Sequence, residues 1–166
     1  MPRALLILFA VAGSCETPPP PQAPPPLHRA FEAMVDVADP DVEVQLVKGF
    51  HKIEWGSGRW TKQSFTVSLK PPRTAHERGA TLRVKLDLPR ALIEQEESVS
   101  LACTIDGKGL TEERWKTSGA HVLTRDVPAL TADPVAVTCT VDKKYTAPGD
   151  SRELGVVLHA IGLEPN

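Results

Sequence analysis

From Val42 onward, apolar and polar side chains take turns along much of the chain. Val42, Val44 and Leu46 alternate with Glu43 and Gln45, and Phe65, Val67 and Leu69 alternate with Thr66 and Ser68. The clearest run is Ala80, Leu82, Val84, Leu86 and Leu88, interleaved with Thr81, Arg83, Lys85 and Asp87. Val99, Leu101, Cys103 and Ile105 make another, as do Val135, Val137, Cys139 and Val141. Successive side chains of a strand point to opposite faces, so each run predicts a strand with one dry and one wet face. Gly155 to Leu163 is more continuously apolar, which predicts a strand covered on both faces or carrying a bulge near Gly162. Val35 and Val37, set among acids and stopped by Asp39-Pro40, predict a short edge strand.

Turn chemistry separates these runs. Gly56-Ser57-Gly58, Pro71-Pro72, Asp106-Gly107, Ser118-Gly119, Asp133-Pro134 and Pro148-Gly149 all break regular structure. Pro89 to Glu97 combines a proline at a first helical position with good helix formers, and predicts one helical turn between two strands. Many short strands at even spacing predict an all-β domain over residues 31–166: an antiparallel β-sandwich, jelly-roll-like, enclosing one core.

The amino terminus reads differently. Met1-Pro2-Arg3 is a short positive start, Ala4 to Ala12 is unbroken apolar sequence, and Gly13-Ser14-Cys15 follows. That is the layout of a secretory signal over residues 1–14, and its apolar stretch is far below the ~20 residues that span a bilayer. Ala12-Gly13-Ser14-Cys15 resembles the lipobox of bacterial lipoprotein signals, which implies that Cys15 is lipidated and becomes the first mature residue. The alternative is an ordinary cleaved signal with Cys15 incidental. In the lipoprotein family an Asp after the Cys is the usual inner-membrane retention signal, so Glu16 implies the outer membrane. Of the 16 prolines, seven fall between Pro18 and Pro26. Proline lacks the backbone donor and fixes φ, so residues 15–30 predict a disordered, extended tether of polyproline II character, not part of the fold.

Charge and candidate chemistry narrow the function. The net charge of −2 offers no electrostatic footprint for nucleic acid. His28, His51, His76, His121 and His159 are scattered, with no metal-ligand spacing, and no Gly-x-Ser-x-Gly turn is present. No cofactor, metal site or catalytic residue is expected, and a binding or structural module is favoured over an enzyme. With Cys15 set aside, Cys103 and Cys139 remain as a pair in similar contexts, Ala-Cys-Thr-Ile-Asp and Thr-Cys-Thr-Val-Asp. They either bond in an oxidising compartment or serve as two small buried hydrophobes, and both readings stand.

The densest constellation is Gly49 to Thr61, with Phe50, His51, Glu54, Trp55, Arg59 and Trp60 gathered among glycines. Aromatic faces beside hydrogen-bonding His, Glu and Arg edges are what a sugar-binding surface requires. His51, Glu54, Trp55 and Arg59 are therefore the candidate ligand-binding residues, with Trp55 an exposed platform. Trp60 is expected to plug one end of the core, and Glu54 to pair with Arg59 across the Gly56-Ser57-Gly58 turn. Gly49-Phe50-His51, Glu54 and Arg59-Trp60-Thr61 also resemble the opening of a jelly-roll-like β-sandwich domain found beside bacterial glycosyltransferases. Pro148-Gly149-Asp150-Ser151-Arg152-Glu153-Leu154-Gly155-Val156 is similar to the closing motif of that domain. The resemblance implies a carbohydrate-associated accessory fold without transfer activity. Independently, a charged cluster just before an apolar strand can pair with Glu54 or Arg59 if the two motifs meet, so Glu54, Arg59, Asp150 and Arg152 are expected to form one polar network between the first and last strands, with Trp60 beside it. The expected protein is thus a non-catalytic cell-envelope lipoprotein that binds a glycan or polysaccharide. Its alternative is a structural or protein-interaction module with no glycan ligand.

Overall fold

In the computed structural model, residues 30–54 and 56–166 are described. The signal sequence, Cys15, the proline-rich tether and Trp55 lie outside them. Among the described residues, ten strands form: β1 (Met34–Asp36), β2 (Leu46–Phe50), β3 (Arg59–Leu69), β4 (Ala80–Leu88), β5 (Val99–Ile105), β6 (Lys108–Gly109), β7 (Glu113–Trp115), β8 (Gly119–Val127), β9 (Val135–Val141) and β10 (Val157–Pro165). Two short helices, α1 (Ala75–Arg78) and α2 (Arg90–Glu96), sit at the ends of β4.

All pairings are antiparallel, and the sheet runs β6-β5-β9-β3-β10-β4-β8 before doubling over at β3 into two layers. The start of β3 pairs with β10, through Arg59 opposite Leu158 and Trp60 opposite Val157. Its far half pairs with β9, from Ser64 to Leu69. One layer therefore holds β1, β10, β4 and β8, and the other holds β2, β3, β9 and β5, with β6 and β7 on the outer edge of β5. This is the all-β, antiparallel sandwich that the alternation predicts. The inward residues of both layers meet in one core: Leu82, Val84, Leu86, Leu158 and Ile161 from the first, and Phe65, Val67, Leu69, Val137 and Leu101 from the second. Burying a Leu, Val or Phe side chain contributes roughly 1.5–3 kcal/mol.

Cys103 and Cys139 face each other in the register of β5 and β9, with Cα atoms 4.1 Å apart, and are joined by a disulfide. Both are buried, so the bond closes inside the core. The Asp106-Gly107 turn between β5 and β6 has both residues at positive φ, 47° and 77°, the geometry that matches the right-handed twist of a hairpin.

The structure departs from the alternation pattern in four places. Pro40 to Gln45 is a single 3-10 helix, and β2 begins only at Leu46. Asp39 caps its start by accepting from the Asp41 amide, and Pro40 stands where a helix loses nothing by lacking a donor. Val42 is consequently buried while Val44 is exposed. The irregularity in β10 lies between Leu158 and Ala160, at His159 and not at Gly162. Gly162 instead lets β1 come close, since a Cβ there would lie 2.5 Å from the Ala33 carbonyl oxygen. Finally, β8 and α1 form where no alternation announces them.

Candidate functional site

The two motifs that resemble the accessory domain meet at one end of the sandwich. Beyond its β10 pairing, β3 continues against the segment just before it. The Thr61 amide donates to the Val156 carbonyl at 2.9 Å, and the Gly155 amide donates to the Thr61 carbonyl at 2.7 Å. The buried Thr61 hydroxyl adds a bond to Val156 O and accepts from Val156 N, at 3.2 and 3.1 Å. Gly155 must be glycine here, because a Cβ would lie 2.5 Å from the Lys62 carbonyl oxygen. Gly49 is constrained likewise, with φ at +84° and a would-be Cβ 2.2 Å from the Ser64 carbonyl oxygen. Phe50 beside it packs edge-on against Phe65, ring centroids 5.7 Å apart.

This joint occupies the polar heads of two of the candidate ligand-binding residues, His51 and Glu54. His51 Nε2 lies 2.8 Å from the Glu153 carbonyl oxygen. Arg152 donates to Glu54 through Nη1 and grips Asp150 through Nε and Nη2, the latter at 2.7 Å. That grip, with the Arg152 amide also donating to Asp150, holds the Asp150 carboxyl down at about 2, from 3.8. Its two carboxylate partners push Arg152 upward in turn.

Arg59 does not join this network. Its side chain is buried, its Nε donates to the Val37 carbonyl at 2.6 Å, and its guanidinium pairs with Glu43 at 2.6 Å. The Glu54–Arg59 pairing expected from sequence is therefore replaced by Glu54–Arg152 and Arg59–Glu43. The reason is directional: alternation turns Arg59 inward beneath the 3-10 helix, where the Val37 carbonyl and the Glu43 carboxylate receive its guanidinium group. Trp60, one position on, faces the other way. It is half-buried and stacks on Tyr145 with centroids 6.4 Å apart, so it is a surface ring and not a core plug.

Trp60 also lines an open groove of about 410 Å³ with Asp87, Leu88, Pro89, Arg90, Ser118 and Val157. The groove sits where the ends of β3, β4 and β10 come together with the entry to β8. Asp87 points out of β4 and is held by His159 Nε2 at 3.0 Å, while Arg90 is held by Glu94 at 2.7 Å. Chemically this is a groove lined by an indole, a carboxylate and a guanidinium, the carboxylate bonded to the His159 ring and the guanidinium to Glu94. Asp87 gives no sign in the sequence beyond being one polar member of an alternating strand. His159 gives a faint one, as a polar residue within the apolar run of Gly155 to Leu163. Among the described residues, no group of three or more His, Cys, Asp and Glu side chains is placed to hold a metal ion.

No family model matches the chain, and no curated protein matches it significantly. Among solved structures, it is similar to the CBM51-2 and INT domains of Clostridium perfringens ZmpB, at 12% identity and a TM-score of 0.44, covering 81% of this chain and 32% of that one. A structure of ZmpB CBM51-2 in complex with GlcNAc, with the INT domains, matches at 14% identity and a TM-score of 0.37, over 64% of this chain and 22% of that one. The chain thus spans less than a third of the length of these proteins.

Proposed function

We propose that this chain is a non-catalytic, lipid-anchored module of the cell envelope whose sandwich binds a glycan in the Trp60 groove. The observation that supports the reading is the half-buried indole of Trp60 in an open groove that Asp87 and Arg90 also line. An aromatic ring takes the apolar C–H face of a sugar, while a carboxylate accepts from hydroxyls and a guanidinium donates to them. A concave site with a few convergent polar groups is where a small ligand binds. The Asp87 carboxylate and the Arg90 guanidinium offset each other across the groove, which suits a neutral sugar. Glu54, Asp150 and Arg152 then serve as a structural tie between the approaches to β3 and β10, and Arg59 as an anchor for the 3-10 helix through Glu43. The buried Cys103–Cys139 bond supports an oxidising compartment, in keeping with export and an anchor at Cys15.

A glycan array tests the binding claim. Wild-type protein is expected to select neutral sugars, and Trp60→Ala to weaken binding at least about tenfold, roughly 1.4 kcal/mol, with an unchanged circular dichroism spectrum. Binding that survives Trp60→Ala moves the ligand elsewhere; no binding to any glycan ends the reading. Fatty-acid labelling that disappears in Cys15→Ser tests the anchor.

One observation favours a second reading, a protein-interaction module. Among the described residues β8 pairs only with β4, and Val122 on it is 48% exposed. An extended segment of a partner protein would add to that edge, its main chain supplying the hydrogen bonds. A protein that co-purifies with wild type and is lost on Val122→Lys would favour it.

A further inference from the structure

His159 takes the extra position in the bulge of β10, and its ring stands between two walls. Nε2 lies 3.0 Å from Asp87 Oδ2 on β4. Nδ1 faces the carbonyl oxygen of Ser57, in the bend that leads into β3. Gly58 makes room for the ring, since a Cβ there would sit 2.9 Å from Nδ1. A carbonyl only accepts hydrogen bonds, and so does an ionised carboxylate. Both contacts are satisfied together only when both ring nitrogens carry hydrogen, which is the imidazolium. The surrounding charges agree. Asp36 on β1, opposite Ala160, adds a second carboxylate to Asp87. Lys85 lies opposite Ala160 on β4, and Arg59, opposite Leu158 on β3, has its guanidinium turned onto Glu43. Burial works against the charged ring, but the bonds to Ser57 and Asp87 and the nearby carboxylates outweigh it, and the histidine is held above its ordinary 6.5.

We propose that His159 is a positioning residue, a clasp that as imidazolium fastens the Ser57 bend to Asp87 on the groove wall and lets go of the bend when it loses a proton. The carboxylate is the stronger acceptor, so the single N–H of the neutral ring stays with Asp87. The lone pair left on Nδ1 then meets the Ser57 carbonyl, and the bend is freed. Asp87 is the groove-lining end of the clasp, so any consequence for glycan affinity rests on the reading above. The clasp itself does not.

The full chain, labelled with nitrogen-15, tests it without any glycan. Between about pH 5.5 and 9, imidazole spectra are expected to show both His159 nitrogens protonated at neutral pH and one transition above 6.5. Across that transition, backbone order at Gly56, Ser57 and Gly58 is expected to fall from about 0.85 toward below 0.6. In His159→Gln, whose one amide group cannot donate from both ends, the bend is expected to show low order at every pH. A single protonated nitrogen at neutral pH, or a bend whose order ignores the titration, overturns the clasp. Because neither readout uses a sugar, failure of the clasp leaves the glycan reading standing, and failure of the array leaves the clasp standing.

Discussion

Arg152 donates to Glu54, 98 positions earlier in the chain, and with the rest of its guanidinium grips Asp150 two residues away. Glu54 belongs to the connection between β2 and β3, and Arg152 to the approach to β10, so one side chain ties the opening of the sandwich to its close. Replacing Arg152 by Ala leaves two carboxylates facing each other with no cation between them. Arg152→Ala is expected to lower the melting temperature, and Arg152→Lys to recover part of the loss, since a lysine keeps the charge but not the fork. The guanidinium is about one-third exposed, at 35%, so salt is expected to shrink the difference. Melting curves of the three proteins at low and high salt check this; identical curves would show that the tie carries no stability.

Asp150 sets an acid limit on the same joint. Its carboxyl is held at about 2 instead of 3.8, so the folded state binds its proton less readily than the unfolded chain does. Stability from this group is therefore fully present above 3.8 and is lost as pH falls through about 2. Asp150→Asn is expected to be less stable than wild type at neutral pH, with the gap closing in strong acid. Urea denaturation of both proteins across the acid range measures it, and a gap that stays constant with pH contradicts it.

The disulfide offers a larger effect. Cys103 and Cys139 are 36 residues apart and buried in adjacent strands. In the chain-entropy account, closing a loop of that length restricts the unfolded state by roughly 2–4 kcal/mol. The Cys103→Ala, Cys139→Ala double variant is expected to retain the sandwich by circular dichroism and to unfold at lower urea by about that amount. A midpoint equal to the wild type's would mean that packing alone holds β5 to β9.

How far the sequence reveals this fold depends on whether one face of a strand is dry along its whole length. β4 alternates without fault, and all five of its inward residues, Ala80 to Leu88, are buried, so nine residues suffice to identify it. β8 pairs with β4 residue for residue, yet its inward row is Gly119, His121, Leu123, Arg125 and Val127. Arg125 is satisfied there by the Thr111 and Glu112 carbonyls and by Glu113, and Val122 stands on the wet face. Such a strand is made by its long-range partner, and nothing within it alternates. The site divides the same way. Glu54, Asp150 and Arg152 are visible because they stand in two short motifs, one of them a charged cluster placed just before an apolar strand. Asp87 and His159 come together only through the register of β4 against β10, which no local pattern encodes.

The clearest contest between local pattern and observed structure is at Val42 and Val44. Strand periodicity places both on the same face as Leu46, so replacing either would cost the same. In the 3-10 helix that forms instead, three residues make a turn, and side chains two apart diverge. Val42 is 2% exposed and joins the core, whereas Val44 is 67% exposed. Val42→Ala removes two buried methyl groups and is expected to destabilise by about 1.5–2.5 kcal/mol, from transfer at about 0.8 per group plus the cavity left behind. Val44→Ala is expected to stay within about 0.5 kcal/mol of wild type. Equilibrium unfolding of the pair decides the matter: equal losses would restore the strand, and the unequal pair would confirm that Asp39-Pro40 starts a helical turn before β2 begins.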